Sequence, residues 1–386
     1  MFSLLARQYP SLANDNLMDV LRLIRTQNVG PVTFFQLIQR FGTAARALEA
    51  LPELAMRGGS KKPLAATPKH IAEREIEATS KFGAKMVLYG MPEYPKFLHM
   101  INDPPPVITV IGHAHLWQRD IVAMVGARNA SATGCQFAQK LARELGDNNV
   151  TVVSGLARGI DTFVHKGSLR QGTVAVIAGG IDNIYPPENT SLFKEIAENG
   201  AIISEQPFSS LPYAGSFPGR NRIIAGMSLG TLVVEAALKS GSLITARFAL
   251  ENNREVFAVP GSPLDPRSKG CNQLIRQGAH IVEGTVDILQ GIAHLRNRNF
   301  EENPSPVYAP MLETVEDDDA ELARMRRNIT EKLGVTAVSV DELIEQCEIS
   351  ASVVSMILLE LELAGRLRRS SGNKVCLSQI MDDETA

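Results

Sequence analysis

Arginines, small hydroxyls and glycines recur in this chain directly after short apolar runs, and that pattern suits the holding of phosphate. Gly126 and Arg128 follow IVAM in the segment VGARNASATG, and Ser154, Gly155 and Arg158 follow VTVV in SGLARGIDTFVHKGSL. SFPGRNRIIAG sets Arg220 and Arg222 either side of Asn221, and EAALKSGSLITA offers Lys239, Ser240, Gly241, Ser242 and Thr245 at a predicted helix start. A helix N-terminus presents free N–H groups and a positive dipole end, which together make an anion site. Hydroxyls add donors, and the planar guanidinium fork matches phosphate oxygens. Several such turns on one edge could hold more than one phosphate, which suits a strand of nucleic acid as readily as a nucleotide.

Catalytic chemistry is harder to assemble. Asp161 and His165 stand four apart on one predicted helical face, a spacing open to acid/base work, metal binding, or a cap and local hydrogen bond. No further Cys or carboxylate completes a metal shell beside them. GxSxG, GxxxxGK[ST] and HExxH are missing, and VGARNASATG lacks the GxGxxG spacing of a dinucleotide site. The sequence therefore predicts no catalytic residue, no metal and no cofactor. One enzymatic alternative is kept. LGTLVVE (Leu229 to Glu235) is similar to the PGGxGTxxE motif of lysine-decarboxylase-like phosphoribohydrolases, without its PGG and with one extra residue before Glu235.

The elements that would position these residues are legible from periodicity. VITVIG, IVAMVG, VTVVSG, TVAVIAGG, AIISEQ, GTLVVEA, EVFAVPG and HIVEG read as strands, and amphipathic stretches such as QFAQKLARELG and SLFKEIAENG lie between them. Strands apolar throughout, alternating with helices, imply a parallel sheet covered on both faces. The predicted fold class is thus α/β: a central, extended, Rossmann-like doubly wound sheet over residues 86–298. Residues 1–85 read as helical, from LMDVLRLIRTQ and TFFQLIQRF through AARALEALPELA and AEREIEATSKF. Residues 299–322 form an acidic linker, whose stretch 301–321 holds eight acidic groups and three prolines without a Lys or Arg. Residues 323–380 read as three helices and a small hairpin, a winged helix-turn-helix.

Composition sets the outer bounds. A length of 386 residues predicts two or three domains, and 44% hydrophobic with 21% charged residues is the balance of an ordinary globular protein. No apolar run approaches a bilayer span, and MFSLLARQYP lacks the n- and h-regions of a signal peptide. Four scattered cysteines suit a reducing compartment, so the expected location is cytoplasmic, away from membranes. The net charge of −3 conceals +7 over residues 1–300 and −10 over 301–386, a mildly basic body with an acidic tail region.

Taken in order, YPKFLHMINDPPPVITVIG, VGARNASATG, SGLARGIDTFVHKGSL, TVAVIAGGIDNIYPPEN, AIISEQP, FPGRNRIIAGMS, VVEAALKSGSLITARFA, VFAVPGS and GCNQLIRQGAH resemble the DprA (Smf) family of bacterial DNA-processing proteins. The resemblance covers the central 200 residues strongly. It extends more loosely to a SAM-like module at the N-terminus and a winged helix at the C-terminus. It implies a dimeric protein without established catalysis that binds and protects incoming single-stranded DNA and loads the RecA recombinase onto it in natural transformation. Carried over by motif, Arg128 is the chief phosphate contact, flanked by Arg220 and Arg222, with Asn221, Ser240, Gly241, Ser242 and Thr245 as further donors. Gly126, Ser154, Gly155, Arg158 and Lys239 shape the pocket. Ala127 stands where the family often has Ser or Thr, and Gly219 where it often has Lys or Arg; each removes a potential donor or charge.

At the ends of the chain the reading is different. The predicted recognition helix ASVVSMILLELELAG has no Lys or Arg, and Glu360 and Glu362 would face phosphates. Base-specific reading of a duplex is therefore not expected, and the module is read as contacting protein. Arg366, Arg368 and Arg369 on the wing leave room for non-specific phosphate contact. NVGP, with Arg22, Arg25, Arg40 and Arg46 nearby, is similar to a helix-hairpin-helix turn, and it serves equally well as a packing element.

Overall fold

The structure, a computed structural model, describes residues 9–296, 319–370 and 372–378. The chain opens with α1 (Leu17–Ile24), α2 (Pro31–Phe41), α3 (Ala44–Arg57) and α4 (Lys69–Lys81). Local signals start the first three. The Asn16 side chain accepts the Met18 N–H, Pro31 opens α2, and Thr43 accepts the Arg46 N–H.

A nine-stranded sheet follows, made of β1 (Lys85–Leu88), β2 (Val107–Gly112), β3 (Asp120–Val125), β4 (Val150–Ser154), β5 (Thr173–Val176), β6 (Ala201–Ser204), β7 (Gly230–Val233), β8 (Glu255–Ala258) and β9 (His280–Ile281). Its order is β1-β2-β6-β5-β4-β3-β7-β8-β9. From β6 to β9 across the sheet every pairing is parallel. The expectation of a parallel sheet needs correction at one edge. β1 is an additional strand antiparallel to β2, and β2 is antiparallel to β6. For β2 the reason is the connection: it reaches β3, which runs parallel to β6, through one 3-10 turn at Ala114–Gln118, too short to return along the length of the sheet, so β2 runs opposite to both.

Helices α5 (Ala132–Asp147), α6 (Ile160–Ser168), α7 (Thr190–Asn199), α8 (Ser216–Gly226), α9 (Gly241–Glu251) and α10 (Lys269–Arg276) link the parallel strands, and α11 (Thr285–Arg296) follows the last of them. One apolar cluster joins Val122, Met124 and Val152 of the strands to Leu141 and Leu145 of α5 and Ile292 of α11. A second joins Ala175, Ile177 and Ile202 to Phe193 and Ile196 of α7. The chain winds outward from β3 to β6, then returns to place β7 on the other side of β3. In sheets of this kind ligands bind outside the carboxyl ends of the strands around such a reversal.

The winged helix comprises α12 (Asp319–Lys332), β10 (Val338–Ser339), α13 (Val340–Cys347), α14 (Ala351–Leu363), β11 (Leu367–Ser370) and β12 (Lys374–Leu377), with an antiparallel sheet in the order β10-β12-β11. Ile329, Leu343, Val354, Ile357, Leu358 and Val375 form its core. Most of the expected linker, residues 299–318, lies outside the described residues, and α12 begins inside the range assigned to it.

Among the described residues the chain divides into two compact units: 9–13 with 74–296, and 14–73 with 319–378. The helical module and the winged helix, far apart in sequence, therefore share one unit. Their joint corrects the reading of α14. This helix packs on α3, and Leu359, Glu360 and Leu363 are buried outside the winged-helix core. Glu360 is only 1% exposed and accepts hydrogen bonds from Arg326 Nε (3.1 Å) and Nη2 (2.6 Å). Burial lowers the pKa of Arg40 on α2, and the charge of Glu360 opposes that shift. Glu362 accepts from Arg369 Nε at 2.8 Å, and Arg369 Nη2 donates to Gln36 at 3.2 Å. The two glutamates thus face arginines of their own unit. The NVGP turn packs here too, with Asn28 Nδ2 donating to the Leu363 carbonyl at 3.2 Å. No described helix is long and apolar enough to cross a membrane.

Candidate functional site

Beyond the carboxyl ends of β3, β4 and β5 the structure opens into a pocket of about 410 Å³, lined among others by Arg128, Gly155, Arg158, Tyr185, Phe217 and Arg220. Arg128 follows β3 and is exposed, and its guanidinium lies 5.0 Å from the centre of the Phe217 ring. Such a contact contributes about 0.5–1 kcal/mol at an exposed site and holds the guanidinium plane in one orientation. Tyr185 packs edge-on to Phe217 at 5.9 Å and is 46% exposed. The pocket mouth therefore combines a cation with a half-buried ring, Phe217, and an exposed one, Tyr185.

Arg220 forms the floor. It projects from α8, is buried, and its Nη1 donates to the carbonyls of Gly155 and Val176, while Nε donates to Asn221 Oδ1 at 3.1 Å. Nη2 has no hydrogen-bond partner among the described residues. Burial pulls its pKa down to about 10, Asp161 opposes that shift and Arg128 adds to it, so the side chain remains charged at neutral pH. Gly155 is required by this arrangement, since a Cβ there would lie 1.9 Å from Arg220 Nη1.

The loop between β4 and α6 is held from beneath. Asp161 Oδ2 accepts the N–H groups of Gly155 (3.1 Å) and Ala157 (3.3 Å), and burial holds its carboxyl above the ordinary range although Arg220 and these N–H groups pull it down. His165 Nε2 accepts the Leu156 N–H at 3.3 Å, which leaves the proton on Nδ1 to be donated to Thr173 Oγ1 at 2.9 Å. Thr173 in turn donates to the Val152 carbonyl. Burial, with Arg220 adding, lowers the His165 pKa to about 3, so the ring is neutral in ordinary buffers. Of the readings open to Asp161 and His165, the geometry selects local hydrogen bonding. Ser154 Oγ, also buried, donates to the Met124 carbonyl. Gly159 takes φ +74° and passes so close to the Ala127 carbonyl that a Cβ would sit 2.3 Å from it.

Other expected residues lie elsewhere. Arg222 does not flank the pocket: its Nη2 pairs with Glu205 at 2.5 Å and its Nε with Asp103 at 3.3 Å. Burial opposes its charge, but the two carboxylates win and raise its pKa. Ser240, Gly241 and Ser242 open α9 and are not among the pocket-lining residues; Ser240 caps the helix by accepting the Ser242 N–H. Asn221 ties α8 to this turn through Nδ2 and the Gly241 carbonyl at 3.4 Å. Thr245 is 1% exposed, Lys239 is exposed, and neither lines the pocket. Gly126 packs on Ile160, and Arg158, at the rim, pairs with Glu188 at 2.5 Å. Tyr185 and Phe217 were not singled out from sequence, although the aromatics of the YPP turn and the FPGRNR segment were a usable sign of a stacking surface. Glu235 accepts the Ser131 N–H at 2.9 Å and the Ser131 hydroxyl at the start of α5, outside the pocket lining. No group of three His, Cys, Asp or Glu is placed to hold a metal among the described residues.

Comparison with known proteins agrees with this architecture. Residues 85–293 match the family described as DNA recombination-mediator protein A, residues 14–78 a DprA-like N-terminal HHH domain, and residues 314–373 a DprA winged helix domain. Protein Smf of Synechocystis is 32% identical, across 90% of this chain and 95% of that protein. Protein Smf of Escherichia coli is 37% identical, across 74% of this chain and 75% of that protein. The solved structure of DNA processing protein A from Streptococcus pneumoniae aligns at a TM-score of 0.61 and 32% identity, covering 72% of this chain and 98% of that one. DNA processing protein A from Helicobacter pylori, whose structure concerns its single-stranded DNA binding mode, aligns at 0.50 and 31%, covering 55% and 95%.

Proposed function

The chain belongs to the DprA (Smf) family, and on that premise we propose that its Rossmann-like unit holds single-stranded DNA in the pocket beneath Arg128. The observation that carries this reading is the pairing of the exposed Arg128 guanidinium with the Phe217 ring, and of that ring with the exposed Tyr185. Arg128 meets a phosphate through its planar fork, and Arg220 adds a fixed positive charge from the floor. Asn221 and the turn of Ser240, Gly241 and Ser242 offer donors to a neighbouring phosphate. Phe217 and Tyr185 stack unpaired bases, each worth roughly 1–3 kcal/mol. A duplex keeps its bases stacked on one another, so the aromatic contribution favours single strands.

The unit acts by binding. Asp161 and His165 are spent on the loop beneath the pocket, and Glu235 on the start of α5, which leaves the phosphoribohydrolase alternative without its carboxylate. The further role follows from the family: a cytoplasmic, dimeric mediator that protects incoming strands and delivers them to RecA during natural transformation.

Labelled single- and double-stranded oligonucleotides titrated against wild type and Arg128→Ala at two salt concentrations test the reading. Preference for single strands, weakening with salt, and loss of affinity in the variant support it. Equal single-strand affinity in both proteins defeats it. RecA filament formation on a coated strand is the second assay, and its failure with binding intact removes the mediator role alone.

A further inference from the structure

The joint between the helical module and the winged helix brings together two basic segments that the sequence keeps 300 residues apart. Segment 57–62, RGGSKK, and segment 366–374, RLRRSSGNK, hold seven Lys and Arg and no acidic residue, so their juxtaposition concentrates positive charge. Their contact is direct. Arg366 Nη1 donates to the Gly58 carbonyl at 3.2 Å, and a Cβ on Gly59 would lie 2.7 Å from the same nitrogen. Three of the seven are occupied: Arg57 pairs with Glu53, Arg369 with Glu362, and Arg366 holds the loop. Lys61, Lys62, Arg368 and Lys374 are exposed and make no ion pair among the described residues.

We propose that the loop and the wing together form a second nucleic-acid surface, one that takes the phosphate backbone of double-stranded DNA without reading its sequence. Base reading is closed off because α14, the helix a winged helix would insert in a major groove, is buried against α3. Neither segment contains an aromatic residue to hold an unpaired base, so charge is the whole attraction. Charge attraction favours the duplex, which has the higher linear charge density. The surface is composite, and it exists only while α14 is docked. Gly58 controls that docking: its φ is ordinary, yet a Cβ would lie 1.9 Å from the Glu360 carbonyl oxygen of α14.

The test uses the full chain carrying Arg128→Ala, which keeps this surface separate from the pocket, and a duplex oligonucleotide of arbitrary sequence followed by fluorescence anisotropy. Arg128→Ala alone should leave duplex affinity intact. Adding Lys61→Glu, Lys62→Glu and Arg368→Glu should lower it at least about tenfold and flatten its salt dependence, by roughly 0.9 in logarithmic slope for each phosphate that is no longer neutralised. Gly58→Val changes no charge, and with helical content retained by circular dichroism it should lower duplex affinity about as much as the charge reversals. Duplex binding unmoved by charge reversal, or already abolished by Arg128→Ala, overturns the proposal. Normal duplex binding by a folded Gly58→Val protein overturns its composite character. Single-strand affinity, read on the same variants, decides the pocket separately.

Discussion

At the pocket floor Arg220 is buried against the carbonyls of Gly155 and Val176, and Asp161 attracts it without an ion pair. At the joint of the second unit, Glu360 is buried against Arg326, with the charge of Arg40 close enough to be felt. The first arrangement leaves a cation only partly balanced at the edge of an open pocket. The second pairs Glu360 directly with the Arg326 guanidinium and closes around the pair. A buried charge met by dipoles stays available to a ligand of opposite sign, whereas one met by its counter-ion specifies packing. Arg222 makes the same point within one helix: with Glu205 and Asp103 beside it, it belongs to the structure.

Acid separates the two units most strongly. His165 and His99 in the Rossmann-like unit are lowered by burial to about 3 and about 4, whereas the unfolded chain takes up their protons near 6.5. Between those limits the unfolded state binds more protons, so stability falls as pH drops from 6.5 toward 3. For His165 alone the full gap amounts to on the order of 5 kcal/mol. The only histidine of the second unit is the exposed His70. Thermal melts across this range should show the Rossmann-like unit losing stability, and His165→Gln should flatten its slope by about one proton. An unchanged slope in that variant would remove His165 from the account.

At the joint, Glu360→Ala should destabilise the second unit by about 3 kcal/mol, because it leaves Arg326 without its carboxylate inside packed structure. Chemical denaturation reads this, and single-strand affinity should remain that of the wild type if the two regions are as independent as their charge logic implies. At the pocket the effects invert. Phe217→Leu should cost about 1–2 kcal/mol of single-strand binding through weaker stacking and a loosened Arg128, with little change in melting temperature. A variant that melts early and binds normally would assign Phe217 to packing.

The sequence made the parallel strands and their helices plain, because buried strands are apolar throughout and the linking helices are amphipathic. β1 escaped because KMVL is four residues long and its antiparallel place depends on the length of a later connection. Arg128 and Gly155 were legible as residues at strand tips. Arg222 was misplaced for a reason that sequence could have supplied. FPGRNR is helical, and positions two apart on a helix point about 200° apart, so Arg220 and Arg222 could not both face one pocket. The composition of α14 carried a comparable sign, since a helix apolar around its whole circumference is buried on more than one side. Which surface covers it, 300 residues away, is beyond any local pattern.

Tyr185 offers the smallest and most specific prediction. It reaches the pocket from the turn after β5 and meets Phe217 edge-on, yet it stays 46% exposed and makes no hydrogen bond through its hydroxyl among the described residues. Its contribution to folding is therefore small, and its exposed face has a use only when a base lies on it. Tyr185→Ala should weaken single-strand binding by about 1 kcal/mol, roughly fivefold, and Tyr185→Phe should restore it because stacking needs the ring alone. Duplex affinity should not move in either variant, since phosphate attraction is blind to the ring. If Tyr185→Ala weakens single and double strands equally, the aromatic rim is not stacking bases, and the preference for single strands must come from the shape of the pocket around Arg128 and Arg220.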